Sequence, residues 1–190
     1  MIQQVCVFAS SSDHVAAVYK TAARRLGDLL SERGCTVVYG AGNIGLMGAI
    51  GDAVLRGKGR LVGIIPEKLH ALNLADENAH EIVVTPDMRS RKAAMEARSE
   101  AFIALPGGFG TLEEILEILV LRQLWYHRKP VIFLNVNGIY DGLMAFFERL
   151  IAEEFIHDGH RNLYYVADTP EDAVAYLESF TPDEPHGAWF

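Results

Sequence analysis

Cysteine, long apolar runs and positive charge are all scarce in this 190-residue sequence. Its two cysteines, Cys6 and Cys35, lack the paired spacing of a zinc site or a CxxC redox motif, so we expect two buried free thiols. No apolar stretch approaches the roughly 20 residues of a membrane span, and the start, MIQQVCVFASSS, has no basic region typical of a signal peptide. These features argue against a disulfide-rich scaffold and predict a cytoplasmic protein that does not contact a membrane.

Acidic residues outnumber basic ones 25 to 17, which gives a formal net charge of -8. Such a chain has no broad positive surface to gather nucleic acid, so no nucleic-acid partner is expected. Any small anion must be bound by local geometry.

The remaining composition, 50% hydrophobic and 22% charged, is typical of a globular chain. Because this length suits one domain and no linker-like segment interrupts it, we expect a single domain over residues 1–190.

Short apolar runs alternate with helical patterns along the chain, which favours a parallel sheet with helices on both faces. The predicted strands are Val5–Phe8, Thr36–Tyr39, Leu61–Ile65, Glu81–Val84, Ala101–Leu105, Val131–Asn135 and Tyr164–Ala167. The predicted helices run from Val15 to Leu30, with Asp13 as N-cap and Gly34 as C′ glycine, and over Leu46–Arg56, Met88–Ser99, Leu112–Tyr126, Gly142–Phe155 and Glu171–Phe180. The predicted fold class is therefore α/β, a Rossmann-like doubly wound parallel sheet, which binds ligands beyond the carboxyl ends of its strands.

The longest connection, Pro66 to His80, contains two histidines and several carboxylates. Because their spacing matches no standard zinc pattern, a solvated loop or a lid on the substrate side is favoured over a metal site.

Two glycine-rich loops each join a predicted strand to a predicted helix. In the first, YGAGNIGLMG, the glycines Gly40, Gly42 and Gly45 match the GxGxxG pattern of a dinucleotide-binding turn. Two features argue against a dinucleotide site: the loop follows the second strand rather than the first, and the next strand ends in GIIP without a ribose-binding acid. A tight turn that needs glycine for packing is the alternative interpretation. No GxxxxGK[ST] motif occurs, which excludes a P-loop.

The second loop, PGGFGT, spans Pro106 to Thr111 and leads into a helix. Gly107, Gly108 and Gly110 free the backbone to form a nest of amides around Phe109, and the helix N-terminus adds a partial positive charge. This combination can bind a phosphate without Lys or Arg. Together the two loops suggest a nucleotide-sized anion between them.

Glu113 and Glu114 open the helix after this second loop. Thr111 and Glu114 have the spacing of a capping box, which gives Glu114 a structural interpretation. A carboxylate within one turn of a phosphate nest is also well placed for chemistry on a phosphorylated ligand. The residues alone leave both interpretations open.

The segment MRSRKAAMEARS precedes the second loop, with Arg91, Met95 and Arg98 on one helix face. Lys92 and Glu96 are spaced for an ordinary i,i+4 surface ion pair. Arg91 is either an equally ordinary surface arginine or a ligand for an anion or a sugar.

These segments together resemble the LOG (Lonely Guy) family, cytokinin riboside 5′-monophosphate phosphoribohydrolases once mislabelled as lysine decarboxylases. The resemblance runs nearly end to end through VCVFASSS, VVYGAGNIGLMG, GIIP, MRSRKAAM and PGGFGTLEE. One departure is Ala41, which replaces the middle one of three glycines usual in the family.

The resemblance implies hydrolysis of the N-glycosidic bond of a cytokinin riboside 5′-monophosphate or AMP. It implies Arg91 and Glu114 as the catalytic pair, and no metal or redox cofactor. The implied substrate-binding residues are Lys92, Gly107, Gly108, Phe109, Gly110, Thr111 and Glu113. The implied assembly is a homodimer with the site near its interface.

A second hypothesis is a carrier that binds a nucleotide or the molybdenum cofactor without cleaving it. An RK pair and a carboxylate beside the nest argue against a binding-only role. Lysine decarboxylation is set aside, because 190 residues is short for a pyridoxal phosphate enzyme and none of the five lysines has a recognisable Schiff-base context.

Overall fold

The computed structural model describes residues 2–182, and seven strands and seven α-helices alternate along them. The strands are β1 (Gln4–Phe8), β2 (Thr36–Tyr39), β3 (Arg60–Pro66), β4 (Glu81–Thr85), β5 (Ala101–Ala104), β6 (Val131–Leu134) and β7 (Tyr165–Ala167). The helices are α1 (Ala17–Glu32), α2 (Gly45–Arg56), α3 (Glu67–His70), α4 (Met88–Ala97), α5 (Phe109–Gln123), α6 (Asp141–Ala152) and α7 (Pro170–Ser179). Two 3-10 turns, Val136–Gly138 and Asp158–Leu163, lie beside α6.

One sheet contains all seven strands in the order β4-β3-β2-β1-β5-β6-β7, and every neighbouring pair is parallel. The predicted doubly wound, Rossmann-like sheet is confirmed, and each predicted strand lies within one residue of its observed bounds. The central strands are continuous buried runs because helices cover both faces.

The two faces of the sheet have separate cores. Along β1, Val5 and Val7 pack against α1, α2 and α7, whereas Cys6 and Phe8 face α4, α5 and α6. This alternation follows from the two-residue repeat of a strand. Both cysteines are buried free thiols, as predicted.

The start of α1 differs from the prediction. Asp13 is not its N-cap, since the helix begins at Ala17 after Ala16, and Val18 is exposed rather than part of the core. Asp13 instead accepts hydrogen bonds from Gly45 N (3.1 Å) and Lys20 Nζ (2.8 Å). The predicted C′ glycine is confirmed, because Gly34 has φ +70° directly after the C-cap.

The strand order reverses at β1, which has β2 on one side and β5 on the other. At such a switch point the connections leave in opposite directions and open a crevice at the carboxyl edge of the sheet. The loops after β1 and β5 meet there, where Ser10 N donates to Pro106 O at 3.4 Å. Within residues 2–182, none of the helices combines the length and the apolar character needed to span a bilayer.

Candidate active site

Arg91 and Glu114 form a buried ion pair on the helical side of the crevice. Arg91 Nη1 donates to Glu114 Oε1 at 2.6 Å, and the two side chains are only 9% and 10% exposed. They come from α4 and α5, neighbouring helices on one face of the sheet. The structure therefore brings together the two residues that the family resemblance implies as the catalytic pair.

Three elements fix the guanidinium of Arg91. Helix α4, which carries Arg91, is capped at its N-terminus by Asp87, whose side chain accepts from Ser90 N at 2.8 Å. One turn later, Arg91 Nε donates to the carbonyl oxygen of Ile64 at 3.0 Å. Nη2 lies against Gly40, where a β-carbon would overlap it. Gly40 thus provides the volume that Arg91 occupies.

Glu114 is a carboxylate under two opposing influences. Burial raises its pKa above the ordinary value, and the charge and hydrogen bond of Arg91 pull it back down. A buried carboxylate that keeps its proton more tightly than an exposed one is also a stronger base once it is ionised.

The capping-box interpretation of Glu114 is wrong. Helix α5 begins at Phe109 with Gly108 as its N-cap, three residues earlier than predicted, so Thr111 lies inside the first turn. Glu114 is then beyond the N3 position, and its carboxylate faces Arg91. Its position on α5 is explained by that pair.

The first turn of α5 presents open backbone amides. Among the described residues, no acceptor bonds to the N–H groups of Gly108, Phe109, Gly110 or Thr111. A β-carbon at Gly108 or Gly110 would meet nothing within 4 Å, whereas one at Gly107 would overlap the Thr111 side chain. The loop therefore has the free donors and the open space that an anion requires.

The first glycine loop differs at the start of α2, where three amides are already bonded within the protein. Leu46 N and Met47 N donate to Ser10 O at 2.8 and 3.3 Å, and Gly45 N donates to Asp13 Oδ1. Gly45 has φ +64°, and a β-carbon there would approach the Ser10 carbonyl oxygen to 2.7 Å. These three amides are therefore not available to an anion, and Gly45 serves a tight turn and close packing there. An anion between the two loops stays a prediction.

Lys92 and Glu113 lie on the outer side of the pair. Lys92 forms ion pairs with Glu113 and with Glu117, and the Glu117 contact measures 2.5 Å. Both carboxylates raise the pKa of Lys92. The predicted surface pair between Lys92 and Glu96 does not form, since Glu96 bonds Lys129 at 2.9 Å instead. Lys92 thus links α4 to α5.

A cavity of about 130 Å³ opens between α4 and α5 beside Glu114. Its apolar side consists of Phe8, Ala93, Ile118 and Leu121, and its charged side consists of Arg89, Lys92, Glu96 and Glu117. Glu114 itself lines this cavity.

The Pro66–His80 connection is docked on the first glycine loop rather than being an entirely irregular loop. It starts with the four-residue α3, and Asp76 N donates to Ala41 O at 2.8 Å. Asp76 is 4% exposed, and its side chain accepts from the Tyr39 hydroxyl at 3.1 Å. Over residues 2–182, no group of three or more His, Cys, Asp or Glu side chains is arranged to hold a metal ion.

Comparison with known proteins identifies a family for this chain. Residues 47–177 match the family model described as possible lysine decarboxylase. The chain is 44% identical over 186 residues to a probable cytokinin riboside 5′-monophosphate phosphoribohydrolase of Oryza sativa subsp. japonica, covering 98% of this chain and 75% of that protein. The chain belongs to the LOG family. Another LOG relative, a cytokinin riboside 5′-monophosphate phosphoribohydrolase of Arabidopsis thaliana, is 43% identical over 180 residues, covering 95% of this chain and 84% of its own length.

Solved structures similar to this LOG chain share its fold at low identity. The molybdenum cofactor binding protein of Rippkaea orientalis has a TM-score of 0.72 at 23% identity, covering 94% of this chain and 97% of that one. The molybdenum cofactor carrier protein of Chlamydomonas reinhardtii has a TM-score of 0.70 at 19% identity, with the same coverage. At such identities the likeness concerns the architecture alone.

Sequence reasoning missed the contributions of Ile64 and Asp76 to the site, and it did not connect Gly40 with Arg91. Gly40 stands out in the GxGxxG pattern, which leaves a dinucleotide-binding turn and a packing turn open, and in the structure it makes room for Arg91. Ile64 acts through its carbonyl oxygen, which no side-chain pattern reveals. Asp76 had no distinguishing signal among the other acids of its loop.

Proposed function

We propose that this chain is a phosphoribohydrolase, which cleaves the N-glycosidic bond of a cytokinin riboside 5′-monophosphate or of AMP to give the free base and ribose 5-phosphate. The observation that carries the proposal is the buried Arg91–Glu114 pair, set within one or two turns of the open amides that begin α5. The named activity of the LOG relatives supports the same reaction.

The phosphate and the scissile bond are assigned to adjacent parts of the site. The amides of Gly108 to Thr111 bind the 5′-phosphate, helped by the partial positive charge of the helix N-terminus, and Gly107 shapes the loop. Lys92 and Glu113 line the outer rim of the site. No metal or redox cofactor takes part.

Glu114 supplies the chemistry at the anomeric carbon. As the bond to the base breaks, the ribose becomes oxocarbenium-like, and a carboxylate beside it stabilises the cation and orients or deprotonates water. The hydroxyl of that water joins the anomeric carbon, and its proton balances the one taken up by the leaving base. Arg91 keeps Glu114 ionised in a buried place and positions the ribose or phosphate oxygens.

The structure of the cavity bears on the choice of base. Its apolar residues, including Phe8, Ile118 and Leu121, lie beside Glu114 and suit a hydrocarbon substituent on the purine. We therefore expect isopentenyladenosine monophosphate to be hydrolysed at least as well as AMP.

We also propose that the protein is a cytoplasmic homodimer with its site close to the subunit interface. Phe109, at the start of α5, is 94% exposed, and Met88, at the start of α4, is 44% exposed. Large apolar side chains exposed beside a site are typical of surfaces that a partner covers. The two free thiols suit a reducing compartment.

The function is tested by incubating the protein with isopentenyladenosine monophosphate, AMP and adenosine, and measuring free base by chromatography. Release from the monophosphates but not from adenosine is the expected result, because adenosine lacks the phosphate that the α5 amides bind. Tight binding of a monophosphate without any release would contradict hydrolysis and favour the alternative of a nucleotide or molybdenum cofactor carrier.

A further inference from the structure

The guanidinium of Arg91 depends on a backbone conformation that is unfavourable by itself. Its Nη2 lies against Gly40, and the next residue, Ala41, is fully buried with φ +61°. A left-handed conformation is unfavourable for a residue with a β-carbon, so surrounding contacts must hold it. The loop that makes room for Arg91 is therefore not self-supporting.

The segment after β3 supplies those contacts. Asp76 N donates to Ala41 O at 2.8 Å, and Gly42 forms an isolated antiparallel bridge with Ala75. Ala41, Ala75 and Ile65 form a small apolar cluster of their own. On the other side, Ala41 packs so closely over Gly63 that a β-carbon at position 63 would lie 2.7 Å from its own.

The side chain of Asp76 fastens this segment to the strand that carries the glycine loop. One carboxylate oxygen accepts from the Tyr39 hydroxyl at 3.1 Å, and the other accepts from Asn78 N and Asn78 Nδ2, both at 3.1 Å. Tyr39 is the last residue of β2 and directly precedes Gly40. Asp76 thus contacts the glycine loop twice, through its carboxylate at Tyr39 and through its amide at Ala41.

We propose that Asp76 is a positioning residue for Arg91: by clamping Tyr39 and Ala41 it holds the Gly40–Ala41 backbone in the shape that places the guanidinium against Glu114. Without the clamp, the loop relaxes toward a conformation that Ala41 prefers, and the space at Gly40 changes. Arg91 then loses its fixed place between Ile64 O and Glu114. Only the expected effect on turnover rests on the proposed function.

The readout is the pKa of the Glu114 carboxyl group, which Arg91 lowers. The charged and titratable groups that face it are Arg89, Arg91, Lys92 and Glu96 from α4, Glu113 and Glu117 from α5, and Cys6 from β1. Asp76 is not among them. Removing the negative charge of Asp76 could by itself only lower the pKa of Glu114, so a rise marks the displacement of Arg91.

The test is a ¹³C NMR titration of Glu114 in the wild type and in Asp76→Ala, Asp76→Asn, Tyr39→Phe and Asp52→Asn. We expect Asp76→Ala to raise the pKa of Glu114 by about half a unit or more, and Tyr39→Phe to raise it less. Asp76→Asn keeps the shape of the side chain and one accepting oxygen, so the pKa of Glu114 in this variant should stay close to the wild-type value. Asp52→Asn removes an exposed charge near Tyr39 without touching the clamp and leaves the pKa unchanged.

An unchanged or lowered pKa of Glu114 in Asp76→Ala would overturn the proposal. If that variant does not fold, Tyr39→Phe, which loses a single hydroxyl, decides by the same criterion. The acid limb of kcat/KM for base release should move upward in parallel. A wild-type protein that releases no base would contradict the proposed function alone, because the titration needs no turnover.

Discussion

Arg91 and Glu114 are each acceptable in a buried position only because the other is there. An isolated buried charge is costly, and a pair without further hydrogen bonds rarely repays its desolvation. Here the carbonyl oxygen of Ile64 takes a second N–H of the guanidinium, at 3.0 Å. A buried ion pair beside open amides is better explained by chemistry than by stability.

Replacing Glu114 with Gln should reduce base release by at least about 100-fold. The amide oxygen of Gln still accepts from Arg91, so the fold should remain, but the neutral side chain cannot stabilise the oxocarbenium-like sugar or take a proton. Chromatography of the free base measures the activity, and circular dichroism measures the melting temperature. Glu153→Gln, which changes an exposed carboxylate at the end of α6, is the control and should keep most of the activity. Full activity in Glu114→Gln would remove this residue from the mechanism.

The pH dependence of kcat/KM should have an acid limb above the ordinary glutamate pKa of 4.5, because burial raises the pKa of Glu114. As the pH falls through that raised value, Glu114 gains a proton and activity is lost; above it the carboxylate is available. Arg91→Ala removes the group that lowers this pKa, so it should move the limb to still higher pH and reduce kcat. Initial rates between about pH 4 and pH 8 measure both effects. A limb that stays in place in Arg91→Ala would show that Arg91 does not control the charge of Glu114.

At the scale of elements, the starts of α2 and α5 look alike in sequence and differ in structure. Both helices follow a strand and a glycine-rich turn, but the amides of α2 bond Ser10 O and Asp13, whereas those of α5 are open among the described residues. The difference comes from the loop after β1, which contains Ser10 and Asp13. This loop contacts the start of α2 in space but is distant from it in sequence. Two glycine-rich turns therefore differ in use: one serves packing at the start of α2, and the other leaves the amides at the start of α5 free for binding.

Two neighbouring glycines of the α5 loop should respond differently to alanine. Gly107→Ala overlaps Thr111 and should lower the free energy of unfolding by about 1–3 kcal/mol. Gly108→Ala meets no protein atom within 4 Å, so stability should change little, but its methyl group enters the anion space and should raise KM for AMP about tenfold. Thermal melts and initial rates measure the two effects. An unchanged KM in Gly108→Ala would argue against phosphate binding at this loop.

Gly45→Ala should destabilise the protein by about 2 kcal/mol or more, because it puts a β-carbon at φ +64° and against the backbone of Ser10, Ser11 and Ser12. Gly142→Ala in α6 is the matched control, since its β-carbon would meet nothing within 4 Å. Urea unfolding of both variants gives the comparison. Equal stability of the two would mean that the α2 turn can rearrange freely.

The elements were predictable where local pattern decides them, and the site was predictable only in part. Buried strands such as Thr36–Tyr39 follow from continuous apolar runs between turn residues. The start of α5 was misplaced because Thr111 and Glu114 have capping-box spacing, while the true N-cap, Gly108, has no side chain to signal it. The roles of Gly40 and Asp76 arise from contacts with residues 51 and 37 positions away in sequence, which no local pattern contains.

At the scale of the whole molecule, a net charge of -8 coexists with a site suited to an anion. The overall charge repels polyanions at long range, whereas a nucleotide is bound at short range by a few amides and cations. Selectivity for a small phosphorylated ligand over nucleic acid thus follows from where the positive groups lie, not from how many there are.

The proposed homodimer should sediment at twice the mass of one chain at micromolar concentration. Phe109→Ser should shift this equilibrium toward the monomer, because Phe109 is the most exposed large apolar side chain beside the site. Phe155→Ser is the control. Phe155 is 76% exposed, but it follows the end of α6 and so lies at the amino edge of the sheet, whereas the site lies at the carboxyl edge. Analytical ultracentrifugation measures both variants. A wild type that sediments as a monomer would rule out the dimer.

The shared volume at positions 40 and 91 also links the two positions in evolution. A side chain at position 40 would overlap Arg91 Nη2, the end of a flexible side chain, so the guanidinium would have to leave its place against Glu114. The effect of a substitution at either position therefore depends on which residue stands at the other, and the two positions are expected to vary together among relatives.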